Sequence, residues 1–405
     1  METKKQELPK NWTLENLEDG RLVLNMGPSH PAMHGIVRVL LTVQGERVVD
    51  SDVEIGYLHR GFEKTCENVT YNQCVPYTDR LNYVSPFINN VGFALTVEKL
   101  MGIETPARCQ YIRVIMCELS RLTDHLTCIG ANAMELGGFT VYFYLINARE
   151  ALYRLTDSAS GGRVTPAYTR VGGLSRDLPP DFKKNAAETL KVVRKNLADA
   201  DALLTRNRIF YDRLHGTGHI SKEDAVALSF TGPVLRSTGV PLDARKATPY
   251  LVYDRFDFDI PVGSNGDNYD RYLVRMEEMR QSMRIVEQAL AQLPEGPVNH
   301  PDYGVILPPK REVYENIEAL MAHFKLTFEG VKPPKGEVYQ AVEGGNGEVG
   351  FYLVSDGTGS PWRLRVRPPC FTLTAGLSQM IKGGYIADIV STFGQVNMIG
   401  GELER

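Results

Sequence analysis

A chain of 405 residues, 43% of them hydrophobic, can bury a large core and reads as one big domain or two to three closely packed ones. Its formal net charge of -4 and pI near 6.1 leave no basic field for nucleic acid. The longest apolar run, Phe139 to Ile146, falls short of the roughly 20 residues a spanning helix needs, and the opening "METKKQELPK" lacks an apolar signal core, so a cytoplasmic chain able to sit on a membrane protein is expected.

From Arg21 to Ile55 the text alternates as strands do: "RLVLNM", "GIVRVLLTV", a Gln44-Gly45-Glu46 turn and "RVVDSDVEI" predict an antiparallel sheet. The loop joining the first two strands, "MGPSHPAMHG" at 26–35, sets His30 and His34 four apart. Pro28, Pro31 and Gly35 oppose a continuous helix there, so the pair is not the HxxxH face of a helical zinc site. Two histidines in such a loop either fix a turn or present protons to something in a cleft.

After Gly56 the pattern turns helical. Ile112, Ile115, Leu119, Leu122, Leu126 and Ile129 recur at spacings of three and four and draw one apolar stripe down a long helix. Leu190, Val193, Leu197 and Leu204 repeat the rhythm, and so do Met276, Met279, Met283, Val286, Leu290 and Leu293, stopped by Pro294. Together they imply a helical bundle. Residues 337–367 return to strands separated by the turns "GGNG" and "DGTGS". The six cysteines, Cys66, Cys74, Cys109, Cys117, Cys128 and Cys370, form no CxxC pair and read as reduced, mostly buried thiols.

Four polar clusters stand out: the His30/His34 loop; "PYTDRLNYVSP", with Asp79, Arg80 and Tyr83 between two prolines; Glu135, just past the long stripe and ahead of two glycines; and the glycine-rich stretch Gly161–Pro179, with Arg163 and Arg170. Taken singly, each also fits a structural role: a turn histidine, a packed tyrosine ring, a solvated helix-end acid. The chain has no GK[ST] loop, no GxGxxG joining a strand to a helix and no GxSxG, so neither nucleotide binding nor a nucleophile-elbow hydrolase is supported.

In order, "MGPSHPAMHG", "IGYLHRGFEK", "YTDRLNYVSP", "PAYTRVGGLSRDLP", "YDRFDFDIPVGSNGDNYDRYLVRMEEMRQS" and "GFYLVSDGTGSPWRLRVRPP" closely resemble the 49-kDa or D subunit of NADH-quinone oxidoreductase, respiratory complex I, from about Arg21 to Arg405. The resemblance implies an α+β fold like the large subunit of nickel-iron hydrogenases. Its parts would be an N-terminal extension (1–20), a β-sheet region carrying the histidine loop (21–55), a helical bundle (56–335) and a C-terminal β and helical region packed on that bundle (336–405). Asn82 and Ser85 stand where the ancestral enzyme has metal-binding thiolates, and no cysteine follows Cys370, so no metal is expected on this chain.

The resemblance further places the quinone headgroup between His34 and Tyr83, with His30 beside it. Reducing a quinone adds two electrons and two protons, and an imidazole (reference pKa about 6.5) and a phenol (about 10) can donate at opposite carbonyls. The family's aspartate that orients the loop histidine falls on Glu135, one methylene longer. Many relatives carry a histidine where Thr165 stands, near the terminal 4Fe-4S cluster held by the B subunit. A neutral threonine implies a lower cluster potential and hence menaquinone over ubiquinone. Arg60 and Arg170 match arginines near that cluster; the competing reading is a pair of helix-end salt bridges.

The implied assembly joins the B, C, H and I subunits of complex I, touches the membrane through the H subunit and lies on the cytoplasmic side of the bacterial inner membrane. NADH would bind elsewhere in the complex, and loss of protons from His34 and Tyr83, relayed through Glu135, would trigger proton pumping. Relatives fed by F420H2 or ferredoxin share this subunit. An active nickel-iron hydrogenase, opposed by the missing thiolates, and a scaffold without a site are the other readings.

Overall fold

The computed structural model describes residues 15–16 and 20–405. Most of the expected 1–20 extension therefore lies outside the described residues; within it, Glu15–Asn16 forms a short strand against Leu22–Val23. The sheet read from the sequence forms as an antiparallel meander of Leu22–Met26, Arg38–Gln44 and Arg47–Glu54. Along its middle strand Val39, Leu41 and Val43 are buried while their neighbours are not, the period-two pattern of a sheet with one face on a core.

The long apolar stripe becomes the 29-residue helix Ala107–Glu135. Phe139–Ser160 and Asn268–Gln292 pack along it, and Phe182–Leu204 packs on Phe139–Ser160 to complete the bundle. A stripe predicts one buried face, yet this helix is buried on all sides from Tyr111 to Leu126, and the charged side chains on its other faces find hydrogen-bond partners inside the protein. Arg113 donates to both oxygens of Glu98 at 2.8 and 2.6 Å; Glu118 is gripped by Arg245, Tyr253 and Ser282; His125 meets Glu278 at 2.8 Å.

A second antiparallel sheet, Gly336–Glu343, Glu348–Ser355 and Arg363–Arg367, lies on the helix Pro86–Met101. The approach is close: a Cβ on Gly92 would sit 2.8 Å from the Phe351 ring. Residues 336–405 divide between two cores. The sheet contributes Val342, Phe351 and Leu364 to the bundle's core, whereas Cys370, Leu377, Phe393 and Leu403 join Val39, Leu41 and Val43 of the N-terminal sheet in a second one. The N-terminal sheet and the C-terminal segment thus share one core, and the 26–35 loop comes against the end of the long helix. All six cysteines are buried and unpaired, and no described helix is long and apolar enough to cross a membrane.

Candidate functional site

The 26–35 loop closes on itself where it leaves the sheet: Gly27, at φ 96°, approaches so near that a Cβ there would lie 2.2 Å from the Val37 carbonyl. Between these ends Pro31–Met33 forms one 3-10 turn, with proline at its first position, where no N–H is needed. His30 caps the turn, its Nδ1 accepting from Ala32 N at 3.2 Å. His34 follows in the left-handed region at φ 53°, a conformation that disfavours a side chain with Cβ and is met most often where function holds it. The turn lifts the imidazole off the sheet, leaves it exposed and lays the Phe393 ring edge-on against it at 5.3 Å.

Glu135 is the last residue of the long helix, which stops because Gly137 takes φ 91° and the two glycines return hydrogen bonds to it, Gly138 N to Ala133 O and Gly137 N to Met134 O. A carboxylate at a helix C-terminus faces the negative end of the macrodipole, and its compensation comes from across the site. Glu135 Oε1 lies 3.3 Å from His34 Nε2. The glutamate fits because the C-terminal helix Ile386–Val396 presents Gly394 to it: a Cβ there would lie 3.2 Å from Oε2 and 2.3 Å from Asn132 Nδ2. With Glu135 ionised, Nε2 carries the hydrogen, and Nδ1 has no hydrogen-bond partner among the described residues.

Tyr83 sits between the helices Tyr71–Thr78 and Pro86–Met101, exposed while Asn82 and Val84 on either side are buried. Its hydroxyl has no hydrogen-bond partner among the described residues, so it is available to a ligand. The protein packed around the phenol, then the Cys370 thiol and Asp124, push its pKa up, against the pull of Arg60. Asn82 and Ser85 both donate to one buried carboxylate oxygen, Asp124 Oδ2, at 2.7 and 2.8 Å. Among the described residues no group of three or more His, Cys, Asp and Glu side chains could hold a metal ion.

A third group lies on the other side of Tyr83. Arg60 donates to Arg80 O at 3.0 Å and Gly401 O at 2.7 Å. Arg170 lines a cavity of about 490 Å³ with Gln73, Pro76 and Leu307. Neither guanidinium pairs with a carboxylate within 4.0 Å among the described residues, so the helix-end salt bridges do not form. Asp79 is fully buried, accepts from Asn90 Nδ2 at 2.8 Å and Ala167 N at 2.9 Å, and is pushed by burial to a pKa of about 6. That backbone bond ties the Tyr83 segment to the loop on which Thr165 stands exposed. Arg163, by contrast, is paired with Glu150.

The fold thus brings His34 to Glu135 and Arg60 to the Tyr83 segment. His30 makes no side-chain hydrogen bond to His34 or Glu135 among the described residues; its side chain caps the turn. Phe393, Gly394 and Asp124 belong to the site's walls, and no local pattern in the sequence marks them.

Residues 135–405 match the family model described as respiratory-chain NADH dehydrogenase, 49 Kd subunit. The chain is 58% identical to the D 1 subunit of the NADH-quinone oxidoreductase of Sorangium cellulosum, covering 95% of each chain. It is 55% identical to the D subunit of the Myxococcus xanthus enzyme, over 96% of this chain and 94% of that one. A fused C/D subunit of the NADH-quinone oxidoreductase of Bdellovibrio bacteriovorus is 49% identical over 96% of this chain and 70% of its own. His34 and Tyr83 precede the segment matched by the family model but fall within the length over which these relatives align.

Proposed function

The chain belongs to the family of the 49-kDa subunit of respiratory-chain NADH dehydrogenase, and from that premise we propose that it forms the quinone-reduction site of a proton-pumping NADH-quinone oxidoreductase. Two electrons arrive from a 4Fe-4S cluster held by the neighbouring B subunit, and two protons must reach the quinone oxygens. His34 and Tyr83 supply them. The observation that carries this reading is the geometry of His34. With Nε2 turned to Glu135, the ring donates through Nδ1 only as imidazolium, and the carboxylate 3.3 Å away stabilises that charged form. Tyr83 offers the second proton through its free hydroxyl. Glu135 loses its cationic partner when His34 gives up the Nδ1 proton, and is the group through which that change of charge would be passed on to pumping.

The unpaired cations Arg60 and Arg170 favour an anionic neighbour, which suits a face turned to the cluster, and Thr165 on the same side supplies no charge. A low-potential quinone, menaquinone rather than ubiquinone, follows from that neutrality. The B, C, H and I subunits are the expected neighbours, with membrane contact through the H subunit on the cytoplasmic side of the inner membrane; the fused C/D relative supports the proximity of C. The names of the relatives favour NADH over F420H2 or ferredoxin as the electron source.

Tyr83→Phe tests the reading. It should abolish quinone reduction in the assembled complex while NADH–ferricyanide activity, which stops short of this site, persists. Retained quinone reduction would remove Tyr83 from the mechanism, and loss of both activities would make it a packing residue.

A further inference from the structure

Tyr83 is the one exposed side chain in a clamped stretch of backbone. Beneath it Asp124, with no exposed surface, accepts from Asn82 Nδ2 at 2.7 Å and Ser85 Oγ at 2.8 Å on one oxygen and from Asn397 Nδ2 at 2.8 Å on the other. Next to it on the helix, Thr123 Oγ1 donates to Val84 O at 2.9 Å, and Val84 N donates to Asn82 Oδ1 at 3.1 Å. Every residue from 82 to 85 except Tyr83 is therefore tied down by a side-chain bond. The carboxylate is sealed from below by backbone, since a Cβ on Gly345 would lie 2.2 Å from Asp124 Oδ2.

Asn397 is the left-handed C-cap of the helix Ile386–Val396, whose Phe393 and Gly394 contact His34 and Glu135. A single helix end thus touches both halves of the candidate site. Asp124 and Glu135 lie on one helix, eleven residues apart, one under each candidate proton donor.

We propose that Asp124 is a positioning residue for Tyr83: its three hydrogen bonds fix the direction of the phenol, and its buried charge opposes a tyrosinate, so that the ring is reprotonated after each quinol forms. This rests on Tyr83 being a proton donor. The buried anion opposes ionisation of the phenol, ranking after burial and the Cys370 thiol. Other groups bear on the same balance. Arg60, from the segment before the first bundle helices, favours the tyrosinate; the Cys370 thiol opposes it. Around Asp124 stand His125 and Cys128 on its own helix, Arg275 bonded to His125 from Asn268–Gln292, Tyr153 from Phe139–Ser160, and Glu402 from the C-terminal turn.

The test is the pH profile of quinone reduction in the assembled complex, with NADH–ferricyanide activity and gel analysis of its polypeptides counting complete molecules. Asp124→Asn removes the charge, and the alkaline limb should move to lower pH, since a neighbouring anion disfavours the tyrosinate. Ser85→Ala leaves the charge and cuts one tie, so kcat should fall several-fold with the alkaline limb in place. A limb unmoved in assembled Asp124→Asn overturns the proposal; so does wild-type kcat and KM in Ser85→Ala, which remains decisive if Asp124→Asn does not assemble. Tyr83→Phe separates the two levels: if it keeps quinone activity, the donor reading fails, whereas loss of activity there with unmoved Asp124→Asn refutes only the role of Asp124.

Discussion

Glu135→Asp gives the shorter acid that the resemblance leads one to expect at this position, and should weaken the site. Removing one methylene withdraws the carboxylate by up to about 1.5 Å, which opens the contact with His34 from 3.3 Å toward roughly 4.8 Å, beyond hydrogen-bond reach. Neither partner can follow freely: His34 is fixed by the 3-10 turn and the Phe393 ring, and Glu135 by the end of its helix. A hydrogen bond to a charged group contributes about 1.5–3 kcal/mol when shielded. Here the imidazole side chain is 36% exposed and the acid 15%, and solvent screening brings the loss to about 1 kcal/mol. If that stabilisation is needed as the proton leaves His34, quinone-dependent kcat should fall about five-fold, with NADH–ferricyanide activity unchanged. Glu135→Gln keeps the reach and removes the charge, so comparing the two separates distance from charge. Wild-type kcat and KM in Glu135→Asp would refute the reasoning, because they would mean that the contact does not act on the reaction.

Gly394→Ala drives a Cβ to 2.3 Å from Asn132 Nδ2 and 3.2 Å from Glu135 Oε2; overpacking of about 1–3 kcal/mol should appear as a lower inactivation temperature together with a raised quinone KM. Glu402 is fully buried, and burial pushes its carboxyl from the ordinary 4.5 to about 7. Below pH 4.5 it is neutral folded or unfolded; as pH rises the unfolded chain ionises first, so stability falls by about 3 kcal/mol and levels off above about pH 7. Glu402→Gln should abolish that fall, measured as thermal inactivation of the complex from pH 5 to 8. Thr165→His should raise the midpoint potential of the neighbouring cluster and make it pH-dependent in a redox titration followed by electron paramagnetic resonance; a wild-type cluster already high and pH-dependent would contradict the expected effect of threonine.

The elements were legible wherever a residue's surroundings follow from its near neighbours in sequence. Alternation from Arg21 to Ile55 dictates a half-buried sheet, the spacing from Ile112 to Ile129 dictates a helix, and the glycines at 137 and 138 dictate its end, because these are backbone and period effects acting over a few residues. The proline-broken loop that carries His34 was visible for the same reason. The tertiary structure decided what those elements meet. That the helix is buried on every side depends on Glu278, Arg245 and the Gly344–Gly345 turn, more than a hundred residues away along the chain. That Glu135 reaches His34 depends on Gly394, which leaves the space, and on the core shared by the N-terminal sheet and the C-terminal segment, which sets the distance. The residue types needed for proton transfer are written in the sequence, but the reach and charge that would make them act are fixed only by packing, since a hydrogen bond is lost over about 1 Å and no spacing rule resolves that length.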